Sequence, residues 1–339
     1  MYDQLKIVSF AGADGAVRMG RGVDRVVREG PGLYRVYWSA SFPADQFYAI
    51  GAMSTFNGAL ALHANVEPDD AEGSGRRRYL RPDNVLVSTR SVNGTLADAE
   101  LVSVMALHDP VRADSDPSRP VWVVYNGTAS GVAASNLQSV NRFVLSGVVM
   151  MELTPAAGAG RVTPAQRMVV GTCAAASPNG YLTLEHYEPY STLRVGLRGI
   201  NNEQFPRPSS HFLSVISLLP HGVLYQGLEL KWVLFQGLED NVTVSVIASV
   251  GVQHVEQVAF GQFRLDFDQP FATPHYAVFG LCNAYVTNGD HIGISSAAAQ
   301  TAASVEVDLR TANAPTFAVE PTVDSNLLVS VAMFHLSAS

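Results

Sequence analysis

In LYRVYW (33–38) and FRLDFD (263–268) the bulky apolar side chains fall on every second residue: Tyr34, Val36 and Trp38 in the first, Phe263, Leu265 and Phe267 in the second. Successive side chains of a strand point to opposite faces, so a period of two predicts a strand packed on one side. A glycine precedes each run, Gly32 and Gly261, and predicts a turn there. Short β-rich runs separated by Gly, Pro, Asn and Asp recur along the chain, and no stretch sustains a period of 3.6. LVSVMALH (101–108) breaks the alternation, being apolar at almost every position. Such a run suits a strand covered on both faces, either central in its sheet or buried at a domain contact.

That strand is written three times. LVSVMALH returns as FLSVISLL (212–219) and LVSVAMFH (328–335), aligning Ser103, Ser214 and Ser330 and, next to them, Val104, Val215 and Val331. A second marker leads each unit: IVSFAG from Ile7, WVVYNG from Trp122 and WVLFQG from Trp232. Both markers repeat at roughly 110 residues, a domain period and not a solenoid rung of about 20 to 50. Copies one and three also agree in the middle, where GVDRVVREGPGLYRVYWSASF from Gly22 aligns without gaps on GVQHVEQVAFGQFRLDFDQPF from Gly251. Copy two has drifted, and its NRFVLSGVVMMELTP keeps Gly147 and the apolar alternation but lacks the Gly-x-aromatic-Arg signature. The expected fold is all-β, as three tandem antiparallel β-sandwich or jelly-roll-like domains over 1–110, 118–220 and 228–339. A unit of about 100 residues can bury roughly two thirds of its unfolded surface and fold alone. Of the joints, 109–120 is polar with three prolines and predicts a stiff connector, while 221–229 is partly apolar and predicts a docked one, with copies two and three the more firmly joined.

Composition narrows the function. Hydrophobic residues make up 47% of the 339 positions and charged ones 15%, against a usual charged share of about 25%, which favours a component of an assembly. Only two lysines occur and the net charge is -8, so a nucleic-acid partner is not expected. The first residues lack a basic-then-apolar signal and no run reaches the roughly 18 apolar residues of a membrane span, so synthesis in a cytoplasm without membrane insertion is expected. Cys173 and Cys282 align with each other and with Met53, as GTC, GLC and GAM, which predicts a buried apolar slot holding inert thiols. The common metal, nucleotide and hydrolase motifs are missing, so neither catalysis, a cofactor nor a metal is expected.

Four features carry candidate chemistry. His108 and His335 end the repeated strand on the face of Val104 and Val331, where a satisfied strand-end histidine is expected. Arg35 and Arg264 lie opposite the aromatic face and are expected to point to solvent or stack. The loop 67–82 gathers acids and then Arg76, Arg77, Arg78 and Arg81 around Tyr79, a positive tip on a negative protein that suits an anionic partner. LEHYEPYSTLR (184–194) sets Tyr187 and Tyr190 among Glu185, His186 and Glu188, an arrangement suited to stacking on sugars.

The pattern Gly-Val-x-x-Val, then Gly-x-aromatic-x-apolar-x-aromatic, then Phe and YAIG or YAVFG resembles small β-domains of tailed-phage virion-surface proteins: tail fibres, head fibres or spikes, and decoration modules. It spans 22–51 and 251–280. The resemblance implies a non-catalytic virion structural protein, made in a bacterial host cytoplasm and displayed outside the particle. It further implies a homo-oligomer, with a trimer favoured, bound to other virion proteins or to a host-surface polysaccharide. The alternatives are a capsid decoration protein without receptor binding and a polysaccharide-degrading tailspike. The tailspike would need paired carboxylates in a cleft and usually a long parallel β-helix, whose short rungs a 110-residue period does not match.

Overall fold

The computed structural model describes residues 5–42, 48–53, 61–64, 82–90, 95–107, 121–126, 132–135, 137–145, 148–155, 168–175, 180–187, 193–199, 211–218, 227–237, 244–259, 261–282, 290–294, 298–311 and 327–337. Side chains are described for 5–42, 82–89, 95–107, 227–237, 244–259, 261–280, 298–308 and 329–337, with Asn141 and Thr154 besides. The described chain is strand, turn and bend without helix.

The described strands fall into three sets of eight. Set one comprises β1 (Leu5–Ala11), β2 (Val17–Arg21), β3 (Val23–Gly30), β4 (Leu33–Trp38), β5 (Tyr48–Met53), β6 (Ala61–Ala64), β7 (Asn84–Arg90) and β8 (Leu101–Leu107). Set two comprises β9 (Val121–Asn126), β10 (Val132–Ser135), β11 (Leu137–Leu145), β12 (Val148–Pro155), β13 (Met168–Ala175), β14 (Gly180–Tyr187), β15 (Leu193–Gly199) and β16 (His211–Leu218). Set three comprises β17 (Leu228–Gly237), β18 (Val244–Val250), β19 (Val252–Ala259), β20 (Gln262–Phe267), β21 (Ala277–Cys282), β22 (Asp290–Ile294), β23 (Ser304–Thr311) and β24 (Leu327–Leu336).

Each set forms two four-stranded antiparallel sheets in one strand order. In set one these are β2-β1-β8-β5 and β3-β4-β7-β6, and adding eight or sixteen to every label gives the sheets of sets two and three. Register repeats with topology. Ser103, Ser214 and Ser330 pair on one side with Ser9, Val124 and Leu234 and on the other with Ala52, Thr172 and Leu281. Val104, Val215 and Val331 face Gly51, Gly171 and Gly280, while Met53, Cys173 and Cys282 face Val102, Leu213 and Val329. The drifted copy two therefore keeps the same backbone pairing. Strand pairing needs apolar alternation and turns, not the aromatic signature that copy two has lost.

Alternation places the cores. In set one Val8, Phe10, Tyr34, Val36, Val87 and Val104 come from both sheets and meet in one buried cluster. In set three Val233, Phe235, Phe263, Leu265, Val307 and Val331 do the same. The period-two residues are buried throughout: Tyr34 and Val36 at 0% exposure, Phe263 at 2%, Leu265 at 0%. The opposite faces of β1, β8, β17 and β24 are apolar as well, and Ile7, Met105, Trp232, Leu234, Phe279 and Phe334 fuse there into a third cluster joining sets one and three. This explains the unbroken apolar run. The closing strand β8 is central in its sheet, lines its own core through Val102, Val104 and Ala106, and presents Met105 and Leu107 to set three. Leu228, in the joint expected to dock, is buried in that seam. The prolines of 109–120 lie outside the described residues, and the described inter-copy core joins copies one and three.

Candidate functional site

The chain's two lysines, Lys6 and Lys231, each stand one residue before the leading marker and occupy equivalent places. Lys6 shares the inner face of β1 with Val8 and Phe10, and Lys231 that of β17 with Val233 and Phe235. Each is buried at the end of its apolar core, at 3% exposure. The Lys6 ammonium lies 4.3 Å from the Phe42 ring centroid and 5.7 Å from that of Trp38, and donates to the Ala40 carbonyl. Lys231 lies 4.7 Å from the Phe271 ring and 5.5 Å from Phe267, with Glu229 at 3.2 Å and Asp268 at 3.6 Å. A glycine roofs each stem. Gly22 and Gly251 have φ of 68° and 71°, and a Cβ there would come within 3.0 Å of Lys6 Cγ and 2.9 Å of Lys231 Cγ.

A cation above aromatic faces is stabilised by the ring quadrupole, more so where water is displaced. Desolvation still outweighs this for Lys6, whose ammonium is pushed below the ordinary lysine range by burial. Neither amine is presented to solvent, so these groups plug the ends of the cores and anchor the loop after β4 or β20; they do not meet a dissolved substrate. Copy two has Val121 at this position.

His335 completes the end of set three. It is 6% exposed, its ring stacks on Phe271 at 5.2 Å, and Nε2 meets Thr273 Oγ1 at 3.0 Å. Burial lowers its affinity for a proton, against the opposing pull of Glu229. The expectation of a satisfied strand-end histidine is met in part: Nε2 meets Thr273, while the buried Nδ1 has no hydrogen-bond partner among the described residues; His108 lies outside them.

The arginines divide. Arg35, expected at the solvent surface, is buried at 9% exposure, paired with Glu29 and donating from Nη1 to Asn84 Oδ1 at 3.0 Å. β4 runs between β3 and β7, so neighbours on both sides cover its outer face. Arg264 stays half-exposed, 2.9 Å from Glu256 and 3.1 Å from Asp266. In copy one, Asp98 gathers four donors: Arg28 Nε at 3.1 Å and Nη2 at 2.7 Å, the Gly32 amide at 2.7 Å and the Tyr34 hydroxyl at 2.8 Å. Partial burial would raise the Asp98 carboxyl, but Arg28 and the amide and hydroxyl donors outweigh it and hold it below the usual range. This clamp closes the β3–β4 turn against the segment that leads into β8. Among the described residues no three His, Cys, Asp or Glu side chains converge as a metal site.

Arg76, Arg77, Arg78, Tyr79, Arg81 and Tyr190 lie outside the described residues; Tyr187 is the last residue of β14, and its side chain also lies outside them. The side chains of Cys173 and Cys282 do likewise, their backbones pairing as given above. No family model matches the chain, and no curated protein or solved structure matches it either.

Proposed function

We propose that the protein is a non-catalytic structural and adhesion protein of a phage-type virion surface, a tail fibre or head spike, that binds host-surface glycan or neighbouring virion subunits. In this reading each set of eight strands is one β-sandwich or jelly-roll-like domain, over 1–110, 118–220 and 228–339. The observation that carries it is the threefold repetition of one eight-strand topology among the described residues, with copies one and three docked through the outer faces of their closing strands. Rigid, tightly cored β-units docked in this way suit a displayed element that must survive outside a cell. Further support comes from the sparing use of lysine, from the interior position of both lysines, and from the sequence resemblance of 22–51 and 251–280.

The arginine tip at 76–81 is the proposed anionic contact, and Tyr187 with Tyr190 the proposed sugar platform. The test is to label purified particles with antibody against the protein, and to incubate the protein with host lipopolysaccharide or capsule, measuring binding and then released oligosaccharide. Particle labelling with saturable binding and no product is expected. Labelling without binding would make it a decoration protein, and product release would make it a tailspike enzyme. No labelling would overturn the virion reading.

A further inference from the structure

Between the sets, the contacts from closing strand to fifth strand run in one direction around a circle, and β24 also touches β2 of set one. The closing strand β8 of set one lies against the fifth strand of set three, β21; β24 of set three lies against β13 of set two; and β16 of set two lies against β5 of set one. The fifth and sixth strands repeat the cycle, β13 against β6, β21 against β14 and β5 against β22, and β5, β13 and β21 lie beside one another at the centre. A linear row of three units would have two free flanks. Here each set gives its closing strand to one neighbour and its fifth strand to the other, so no flank of this kind is left over.

We infer that one chain closes a threefold ring on itself and is complete as a monomer, each closing-strand serine tying down the open edge of the next copy's fifth strand. The fifth strand is the outermost of its sheet, and its outward amides need partners from elsewhere. At the one seam where side chains are described on both sides, the Val278 amide of β21 donates to Ser103 Oγ of β8 at 3.3 Å, and both residues are buried. The repeat alignment puts Val169 of β13 opposite Ser330 and Ala49 of β5 opposite Ser214. This gives the serine a reason to persist in a strand that is otherwise apolar; Ser330 Oγ in addition accepts from Trp232 Nε1 at 3.2 Å.

A chain that supplies all three positions meets the threefold symmetry implied by its resemblance without self-association. A feature unique to one copy, such as the arginine tip, then occurs once per ring, and a partner bound there is engaged once. The inference rests on strand contacts and not on the virion reading, so either can fail alone.

Light scattering from the full chain over about 1 to 100 µM is expected to give 36.3 kDa throughout, and chains carrying two different tags should not co-purify. A trimer mass, or exchange of tags, would overturn the inference. Residue-resolved hydrogen exchange on Ser103→Ala, Ser330→Ala and Ser214→Ala provides the second arm. Loss of a buried acceptor is expected to speed exchange about tenfold at Val278, Val169 and Ala49 respectively. Acceleration at Val278 alone, with Val169 and Ala49 unmoved, would mean an open arrangement and would refute ring closure.

Discussion

Replacing Gly251 by Ala puts a methyl group where the turn has least room for one. At φ of 71° an L-residue pays roughly 1–2 kcal/mol for the left-handed conformation, partly offset by the smaller entropy of the unfolded Ala chain, about 0.4–1 kcal/mol. The new Cβ would also stand 2.9 Å from Lys231 Cγ, a stem fixed between Phe267 and Phe271. Lys231 cannot retreat far, because its ammonium is held by Glu229 and the rings, and overpacking of this kind costs about 1–3 kcal/mol. Together the substitution should destabilise set three by about 2–4 kcal/mol, which is roughly a 30- to 900-fold rise in exchange of amides in 228–259 if exchange is limited by opening. Gly251→Ala combined with Lys231→Ala keeps the backbone strain and removes the collision, so the two should couple by about 1–3 kcal/mol. A neutral Gly251→Ala would mean the turn is not left-handed. Strict additivity would mean that glycine does not roof the lysine.

Lys6→Met removes a desolvated charge while keeping the stem, and should leave stability unchanged or raise it by up to about 1 kcal/mol in urea unfolding at neutral pH. Because the folded pKa of Lys6 lies below its unfolded value of about 10.4, the unfolded chain binds more protons between the two, and stability should climb with pH through that window; Lys6→Met should flatten the rise. His335 has a lowered folded pKa too, so its contribution is present above the unfolded value of about 6.5 and is lost as pH falls below it. Thermal melts should show this loss in the wild-type protein and a smaller one in His335→Gln. Replacing Arg76, Arg77 and Arg78 together by Ser should leave the melting temperature nearly unchanged while weakening attachment, and attachment by the parent should fall as salt shortens the Debye length to about 8 Å and below; attachment insensitive to both would return this tip to ordinary surface.

The strands and their threefold repetition were legible because each depends on short-range pattern. The period of two in 33–38 and 263–268 fixed which side chains enter the core, and the paired markers fixed the phase of the copies, while the residues that face Ser103, Ser214 and Ser330 came from the structure. The closing strand's two-sided burial could be read as well, though not what lay on its second face. That face is covered by another copy, whose Val278 lies 175 residues along the chain from Ser103, and nothing local encodes such a partner. Arg35 misled for a similar reason: alternation gives the face a side chain takes, whereas its cover comes from Glu29 and Asn84 on flanking strands. The buried lysines carried a usable signal. They are the chain's entire lysine complement, and each precedes the same marker by one position. Charge favours a surface reading of lysine, and only the aromatic rings of Trp38 and Phe267, which end β4 and β20, and of Phe42 and Phe271 in the loops that follow make the interior tolerable.

Small-angle X-ray scattering of the full chain at low concentration tests ring closure in one number. Three units packed around a common axis give a compact particle, for which 339 residues predict a radius of gyration of about 20 Å. The same three units, each of about 13 Å, strung end to end would give about 30 Å. The account predicts a value of about 20–22 Å with a forward scattering that corresponds to 36.3 kDa; a radius near 30 Å at that mass would contradict it.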